Sequence, residues 1–394
     1  MRRWSLKARM VIPVEGEPLS GAVITIEGDR IAGIGKTGQA DIDLGDVAVV
    51  PGLVNAHAHL DLSDCERPLD MNGSFADWIG RVIRHRNRDG ADPAAAIQKG
   101  TREILETATT LVGDINSIAD SRLELEKSPI DAVVYRELIG VDSRRAETSW
   151  SEFKNWISAK NVGEKVLPGV SPHAPYSTRF DLIQRAGVSG LRAQIHLGET
   201  PEELEFLASR SGPLAELLAR LGLDGTKELA NSFGSVLKAL PQATIVHANV
   251  LPAVEFVNRG RSVIHCPATH RQFGRALFPA NRLLSAGVNV GFGTDGRASS
   301  PNLNLGEHVA NLMTGPESLS PLEILRCATS GGAKALALDE FHGSITIGKI
   351  ANLAVVPFAK GIDRWEEVID GLAKPRAVLW RGKWRDIAGM CKPA

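Results

Sequence analysis

The stretch Val49-Val50-Pro51-Gly52-Leu53-Val54-Asn55-Ala56-His57-Ala58-His59-Leu60-Asp61 runs from an unbroken apolar segment into a His-x-His pair. Successive side chains of a strand point to opposite faces, so residues two apart share a face. Two imidazoles at that spacing aim at one point, which makes His57 and His59 candidate ligands of a metal ion. The pair gains meaning from three other places where a short apolar run ends on a metal-binding side chain: Gln194-Ile195-His196, Ile245-Val246-His247 and Gly291-Phe292-Gly293-Thr294-Asp295.

Working outward, eight runs of β character are predicted, at 49–56, 110–115, 132–139, 166–171, 192–196, 243–247, 262–266 and 288–293. Most lead into a helix-patterned stretch, such as 74–107, 201–221 and 321–338, the last opened by Ser320-Pro321 as cap and first turn. Eight such units over roughly 290 residues match an α/β protein of the (β/α)8 TIM barrel class in number and size. In that architecture the site is assembled at the C-terminal ends of the strands, where His57, His59, His196, His247 and Asp295 fall. An open doubly wound sheet is the alternative topology for the same count. The first fifty residues read as short strands, at 8–14, 22–27 and 30–34, with Gly28-Asp29 as a tight turn. Strand texture returns after Gly343, at 344–347, 351–356 and 377–380. The ends, 1–50 and 344–394, are therefore expected to form one small composite β-sandwich beside a catalytic barrel of 51–343.

The chain has 394 residues and a formal net charge of -1, which offers no broad electrostatic footprint for nucleic acid or an anionic membrane. A small-molecule substrate is expected, with a homodimer left open as the assembly. Cys65, Cys266, Cys327 and Cys391 show no CxxC spacing, which speaks against a disulfide framework or a cysteine zinc site and for a reducing compartment. Arg2 and Arg3 are followed by Trp4-Ser5-Leu6-Lys7, which breaks the apolar core of a signal peptide, and no run approaches the length of a membrane span. A cytoplasmic location is expected.

Zinc takes imidazole nitrogen and carboxylate oxygen, and a catalytic site keeps one position open. His57, His59, His196 and Asp295 supply three nitrogens and one oxygen, enough for one mononuclear site. Zn2+ is the first expectation, with Fe2+ and Mn2+ as alternatives, because this ligand set suits all three. His247 is a further imidazole suited to orienting an attacking water and shuttling its proton. Glu199, three residues beyond His196, reaches past the metal toward a substrate, where a carboxyl group donates and accepts protons.

The order His-x-His, His-x-x-Glu-Thr over 196–200, His247, and Thr294-Asp295-Gly296 resembles the amidohydrolase superfamily, in its branch of cytosine, guanine and adenosine-type deaminases and chlorohydrolases. The likeness runs almost the length of the chain, through Pro51-Gly52-Leu53-Val54-Asn55, Ser171-Pro172-His173-Ala174-Pro175-Tyr176-Ser177, His265-Cys266-Pro267, and 343–352. The resemblance implies a metal-dependent barrel flanked by a small composite β-sandwich. It also implies roles: His57, His59, His196 and Asp295 as metal ligands, Asp295 as acceptor of the proton of the attacking water, His247 as the histidine that positions that water, and Glu199 as the acid that protonates the ring nitrogen beside the reacting carbon. The implied activity is hydrolytic deamination of an aminated nitrogen heterocycle or nucleoside with release of ammonia. Adenosine-like nucleosides, including S-adenosylhomocysteine-like thioethers and aminodeoxyfutalosine, come first, and guanine-like bases and triazines follow.

Substrate contacts are expected from His173, Glu137, His270 and Asn304. His173 touches substrate or buttresses the metal site, and Glu137 reaches the cavity or pairs with Arg136 or another basic group. The branch shows serine-asparagine after strand seven and an aspartate after strand eight, where this chain has Thr269-His270 and Asn304. His265 is assigned a supporting role behind the ligands, His85 a solvated helix face among Arg84, Arg86 and Arg88, and His342 a loop. Phe75, Trp78 and Ile79, at helical spacing, are read as helix packing in preference to a stacking platform, with a pocket-shaping role for the loop after strand one left open. A binuclear cyclic amidase of the same superfamily needs a carboxylated lysine at the end of strand four. Lys165 stands instead at its start, and 166–193 contains no lysine. A triazine chlorohydrolase or aminohydrolase keeps the mononuclear site, but Glu199 favours an amino leaving group. A catalytically dead scaffold implies missing ligands, and none is missing.

Overall fold

The computed structural model describes residues 2–35, 38–159, 163–223, 225–251, 261–275, 278–314, 317–358 and 365–386. Its centre is a parallel sheet of β1 Leu53–His59, β2 Thr109–Asn116, β3 Asp131–Leu138, β4 Val166–Pro172, β5 Arg192–Leu197, β6 Thr244–His247, β7 Ser262–His265 and β8 Asn289–Phe292. Each strand pairs in parallel with the next. A ninth strand, β9 Asp295–Gly296, continues β8 across Gly293-Thr294 and pairs with β1, Asp295 lying opposite Ala58. At the junction Gly293 N–H donates to the His265 carbonyl and Thr294 N–H to that of His57, both at 3.0 Å. The chain leaving the last strand is thus bonded to the first, and the sheet comes round on itself like a barrel. Position 293 must be glycine, because a Cβ there would lie 2.7 Å from the His57 carbonyl oxygen.

Strand alternation divides the apolar side chains into two layers. Leu111, Val133, Tyr135, Val246 and Ile264 gather in one cluster, while Val112, Val134, Ile195, Ile245 and Val263 pack in another. Strands β1 and β2 are buried along their whole length, as strands of a parallel sheet covered on both faces are.

Residues from both ends of the chain build two further sheets. One has four strands, in the order Arg30–Gly35, Val23–Glu27, Arg3–Lys7 and Ile42–Asp43. The other has six: Lys383–Trp384, Ala377–Trp380, Leu353–Pro357, Val47–Pro51, Met10–Val11 and Leu19–Ser20. The two share an apolar cluster that includes Leu6, Ile24, Val49, Leu353 and Leu379. Asp131, at the start of β3, ties them to the central sheet by accepting from Asn352 Nδ2 at 2.9 Å, Trp380 Nε1 at 3.0 Å and Arg381 Nε at 2.8 Å.

Several boundaries differ from the sequence reading, and of the strand predicted at 8–14 only Met10–Val11 is extended in a sheet. The run predicted as one strand at 49–56 changes sheet at Gly52: Val47–Pro51 pairs antiparallel with Leu353–Pro357, and Leu53 N–H turns to the Ala108 carbonyl. The segment 344–347 is not a strand. Each of the long predicted helices is interrupted. Residues 74–107 form α1 Phe75–Arg86 and α2 Pro93–Leu105, and residues 201–221 form α3 Pro201–Ser209 and α4 Pro213–Arg220. The second helix of each pair opens on proline at a first-turn position, the punctuation that proline supplies. The 321–338 stretch begins with a Ser320–Glu323 capping box at Pro321–Arg326, then passes through a π turn at Cys327–Gly331. Among the described residues no helix is long and apolar enough to cross a membrane.

Candidate active site

The strand spacing of β1 places His57 and His59 together, and β5 brings His196 beside them. The ligand atoms of the three lie within 4.8 Å of one another. Their tautomers follow from their partners. Gln194 Nε2 donates to the Ala56 carbonyl at 2.9 Å, so its Oε1, 3.0 Å from His57 Nδ1, accepts a proton from that nitrogen. His196 Nδ1 is 2.9 Å from the His173 carbonyl and must also be protonated. Both rings therefore turn a bare Nε2 lone pair inward, and these two nitrogens stand 3.2 Å apart with no proton between them. Asp295 Oδ1 approaches to 3.9 Å from His57 Nε2 and 3.6 Å from His59 Nε2. Lone pairs facing each other in a buried place repel unless a cation sits among them, so the residues present fit a divalent metal. Burial, reinforced by His196, pushes His57 down to about 4, and burial lowers His59 as well, which keeps both in the neutral form that ligates. Despite burial, Asp295 is held below its usual range, with Ser299 Oγ donating to its Oδ2 at 2.9 Å.

Beside this cluster, His247 stacks on His196 with ring centroids 5.4 Å apart, and its Nε2 is 3.7 Å from Glu199 Oε2. Glu199 Oε1 accepts from Arg275 at 2.9 Å. The loop that presents Glu199 is fixed from below: Glu203 accepts the N–H groups of Gly198 and Glu199 at 3.2 and 2.8 Å, and Thr200 caps α3. His247, Ala248 and Asp295 adopt left-handed backbone, with φ of 74°, 54° and 58°. Such conformations cost on the order of 1–3 kcal/mol each and gather where side chains must be aimed.

The cluster forms one end of a cavity of about 1160 Å3, open solvent at its mouth included. Glu137 and His173 line it. Ser117 Oγ donates to one oxygen of Glu137, and the other, Oε1, is buried without a partner among the described residues. His173 Nδ1 pairs with Ser177 Oγ at 2.5 Å. Arg86 bonds Asp61 at 3.0 Å and Ser117 Oγ at 3.1 Å from the same wall. The remaining lining is largely apolar, with Phe75, Trp78, Ile79 and Val82 of α1 facing Leu214 and Leu217 of α4. Glu202 fixes α1 by accepting the N–H groups of Phe75 and Ala76 at 2.6 and 3.1 Å.

Eight of the ten residues singled out from sequence thus meet in or around this cavity, and two do not. His270 lies on helix α5 Pro267–Gln272, 5.0 Å from the His265 ring, and lines a different cavity with Phe278 and Asn311. Asn304 is the N-cap of α6 Leu305–Ala310, accepting from Glu307 N–H and donating to the Ala373 carbonyl at 2.9 Å, which spends its amide on the backbone. His265 stacks on Phe278 at 4.0 Å instead of backing the ligands. His85 is not a solvated face but bonds Asp64 at 2.9 Å, Arg86 reaches the cavity, and His342 is buried beside Lys349 and Asn352. Phe75, Trp78 and Ile79 pack α1, and they are also cavity wall. Lys165 donates to the Ser128 carbonyl at 2.5 Å, and among the described residues no lysine lines the cavity. The sequence reading missed Gln194 and Arg275. Gln194 shares the strand face of His196, a signal that period two carries, whereas nothing local marks Arg275.

Residues 48–384 match the sequence model of the amidohydrolase family. The 5-methylthioadenosine/S-adenosylhomocysteine deaminase of Moorella thermoacetica is 30% identical over 388 residues, 89% of this chain and 85% of that protein. The aminodeoxyfutalosine deaminase of Nitratiruptor sp. is 27% identical over 358 residues, 85% of this chain and 86% of its own. The crystal structure of Helicobacter pylori aminofutalosine deaminase in complex with methylthio-coformycin has the same fold, with a TM-score of 0.82 at 24% identity, covering 97% of this chain and 99% of that one. Sequence match and architecture agree, and the chain belongs to the amidohydrolase family.

Proposed function

We propose that the chain is a metal-dependent hydrolytic deaminase of an amino-substituted nitrogen heterocycle or nucleoside. The observation that carries this reading is the pair of bare imidazole nitrogens of His57 and His196, 3.2 Å apart, with the Glu199–His247 pair beside them at the end of a cavity. His57, His59, His196 and Asp295 are the residues to hold the ion, zinc in the first place, in a 51–343 barrel braced by a composite β-sandwich of 1–50 and 344–394. When bound, the ion supplies Lewis acidity and makes water acidic enough to attack near neutral pH.

The side chains do the rest. Asp295 accepts a proton from the attacking water, which His247 Nε2 orients. Glu199 delivers one proton to the ring nitrogen as the C–O bond forms. The proton held by Asp295 then passes to the amino group, which leaves as ammonia as the C–N bond breaks, and the new C–OH returns a proton to Glu199. Arg275 turns the Glu199 carboxylate toward His247, and Glu137 Oε1 awaits an N–H or O–H of the substrate. The apolar wall excludes water from all but the reacting position. The names of the relatives favour adenosine-type nucleosides carrying a thioether or futalosine-like substituent.

Ammonia release from a panel of 6-aminopurine nucleosides, guanine, cytosine and aminotriazines tests the reading, and silence across the panel would sink it. With the best substrate, Glu199→Gln should keep the metal and lose turnover on the order of a hundredfold, since an amide cannot shuttle the proton. Turnover near wild type would remove Glu199 from the proton path.

A further inference from the structure

We propose that Asp64, Cys65 and His85 form a second metal site, for zinc or a divalent cation of similar softness, behind the wall of the cavity. Past β1 the chain makes a 3-10 turn at Leu60–Leu62 and then presents Asp64 and Cys65 to His85 in the last turn of α1. One nitrogen, His85 Nε2, faces both partners, 2.9 Å from Asp64 Oδ1 and 3.3 Å from Cys65 Sγ, and all three ligand atoms lie within 4.8 Å of one another. A single ring nitrogen has one proton or one lone pair to offer and cannot serve two partners in line. A cation at the point where the three converge satisfies all of them.

The geometry is close to what zinc requires. From Zn–N, Zn–O and Zn–S lengths, a tetrahedral ion holds its nitrogen and oxygen ligands about 3.4 Å apart and its nitrogen and sulfur about 3.6 Å apart. The present separations are shorter by a few tenths of an ångström, which side-chain rotation supplies. A sulfur, an imidazole nitrogen and one carboxylate oxygen select a borderline cation over magnesium or calcium. Asp64 is prepared for the role, because Arg88 bonds its other oxygen and leaves Oδ1 toward His85. The Cys65 thiol is raised to about 11 by burial and by Asp64, so the ion must displace a proton from it, and that proton is released to solvent.

Occupancy of the site has a mechanical meaning. Cys65 packs in an apolar cluster with Leu62 and Ala298, against Trp78 and Val82 of α1, and those four line the cavity. An ion there cross-links the segment after His57 and His59 to the far end of α1 and fixes one wall of the substrate cavity. This last consequence rests on the deaminase reading; the site itself does not.

The test is cobalt substitution of the full chain with its catalytic centre loaded. Thiolate bound to Co2+ gives an intense near-ultraviolet charge-transfer band, which a centre of nitrogen and oxygen ligands lacks. We expect the band to saturate at one equivalent, and two equivalents of zinc to be retained after dialysis. Cys65→Ser and His85→Gln should each abolish the band and lose one zinc, keeping turnover at saturating substrate while KM rises. A missing band overturns the proposal, as does a single zinc equivalent in the wild type. A band that survives Cys65→Ser does so too, and it would place the sulfur at Cys266, which lies close to Asp295. Failure to turn over any substrate leaves the band untouched and counts against the deaminase reading alone.

Discussion

Gln194 decides which nitrogen of His57 faces the centre, and it does so only because its own amide is committed to the Ala56 carbonyl. Gln194→Leu should therefore weaken metal affinity by about 10–100-fold with little change in fold, as loss of a partner behind a ligand does. Competition against a chelator measures it, and an unchanged affinity would show that β1 alone orients the ring. At this scale the sequence was legible where chemistry is local. Histidines two apart on an apolar strand converge by geometry, and His196 and Asp295 follow at strand ends. It was not legible where the contact is made by distant loops, as between Glu199 and Arg275, 76 positions apart. His270 and Asn304 show the opposite error. Following a strand end does not aim a side chain into the cavity, and Asn304, with Glu307 three residues on, already carried the signature of a helix cap.

Among the elements, α1 carries the most consequence. Its stripe Phe75, Trp78, Ile79, Val82 has the i, i+3, i+4, i+7 spacing of any half-buried helix. Periodicity reveals that a face is covered but not by what, and here the helix face also lines a cavity. Trp78→Ala should thus lower kcat/KM roughly tenfold through KM, since it removes apolar surface that binds ground state and transition state alike. Steady-state kinetics on the best substrate separates the cases: a fall in kcat at constant KM would place Trp78 at the reacting end instead. The breaks before Pro93 and Pro213 were equally readable, because each follows a turn-forming residue, Asp92 and Gly212.

Over the whole molecule, the succession of strands and the pairing of both termini were visible as changes of texture, whereas the change of sheet at Gly52 was hidden inside one apolar run. The join between the central and terminal sheets is polar and buried, with Asp131 at its middle and His342 close by. Burial lowers His342 to about 4 and His308 to about 3, from an ordinary 6.5. The folded chain keeps these rings neutral while the unfolded chain protonates them, so their contribution to stability is full above pH 6.5 and is lost as pH falls toward 4. Urea midpoints between pH 4 and 7 should decline with acidity, and His342→Gln should reduce the slope by about one proton. An unaltered slope would free His342 of that role. The split last strand has a temporal side as well. Asp295 both completes the proposed ligand set and, through β9, bonds the last strand to the first. During synthesis, His196, the last of the three histidines, leaves the ribosome 99 residues ahead of it, at some five to twenty residues per second. For those seconds the nascent chain holds three of the four proposed ligands on an unsealed sheet, and the seam and the proposed metal centre come into being in the same event.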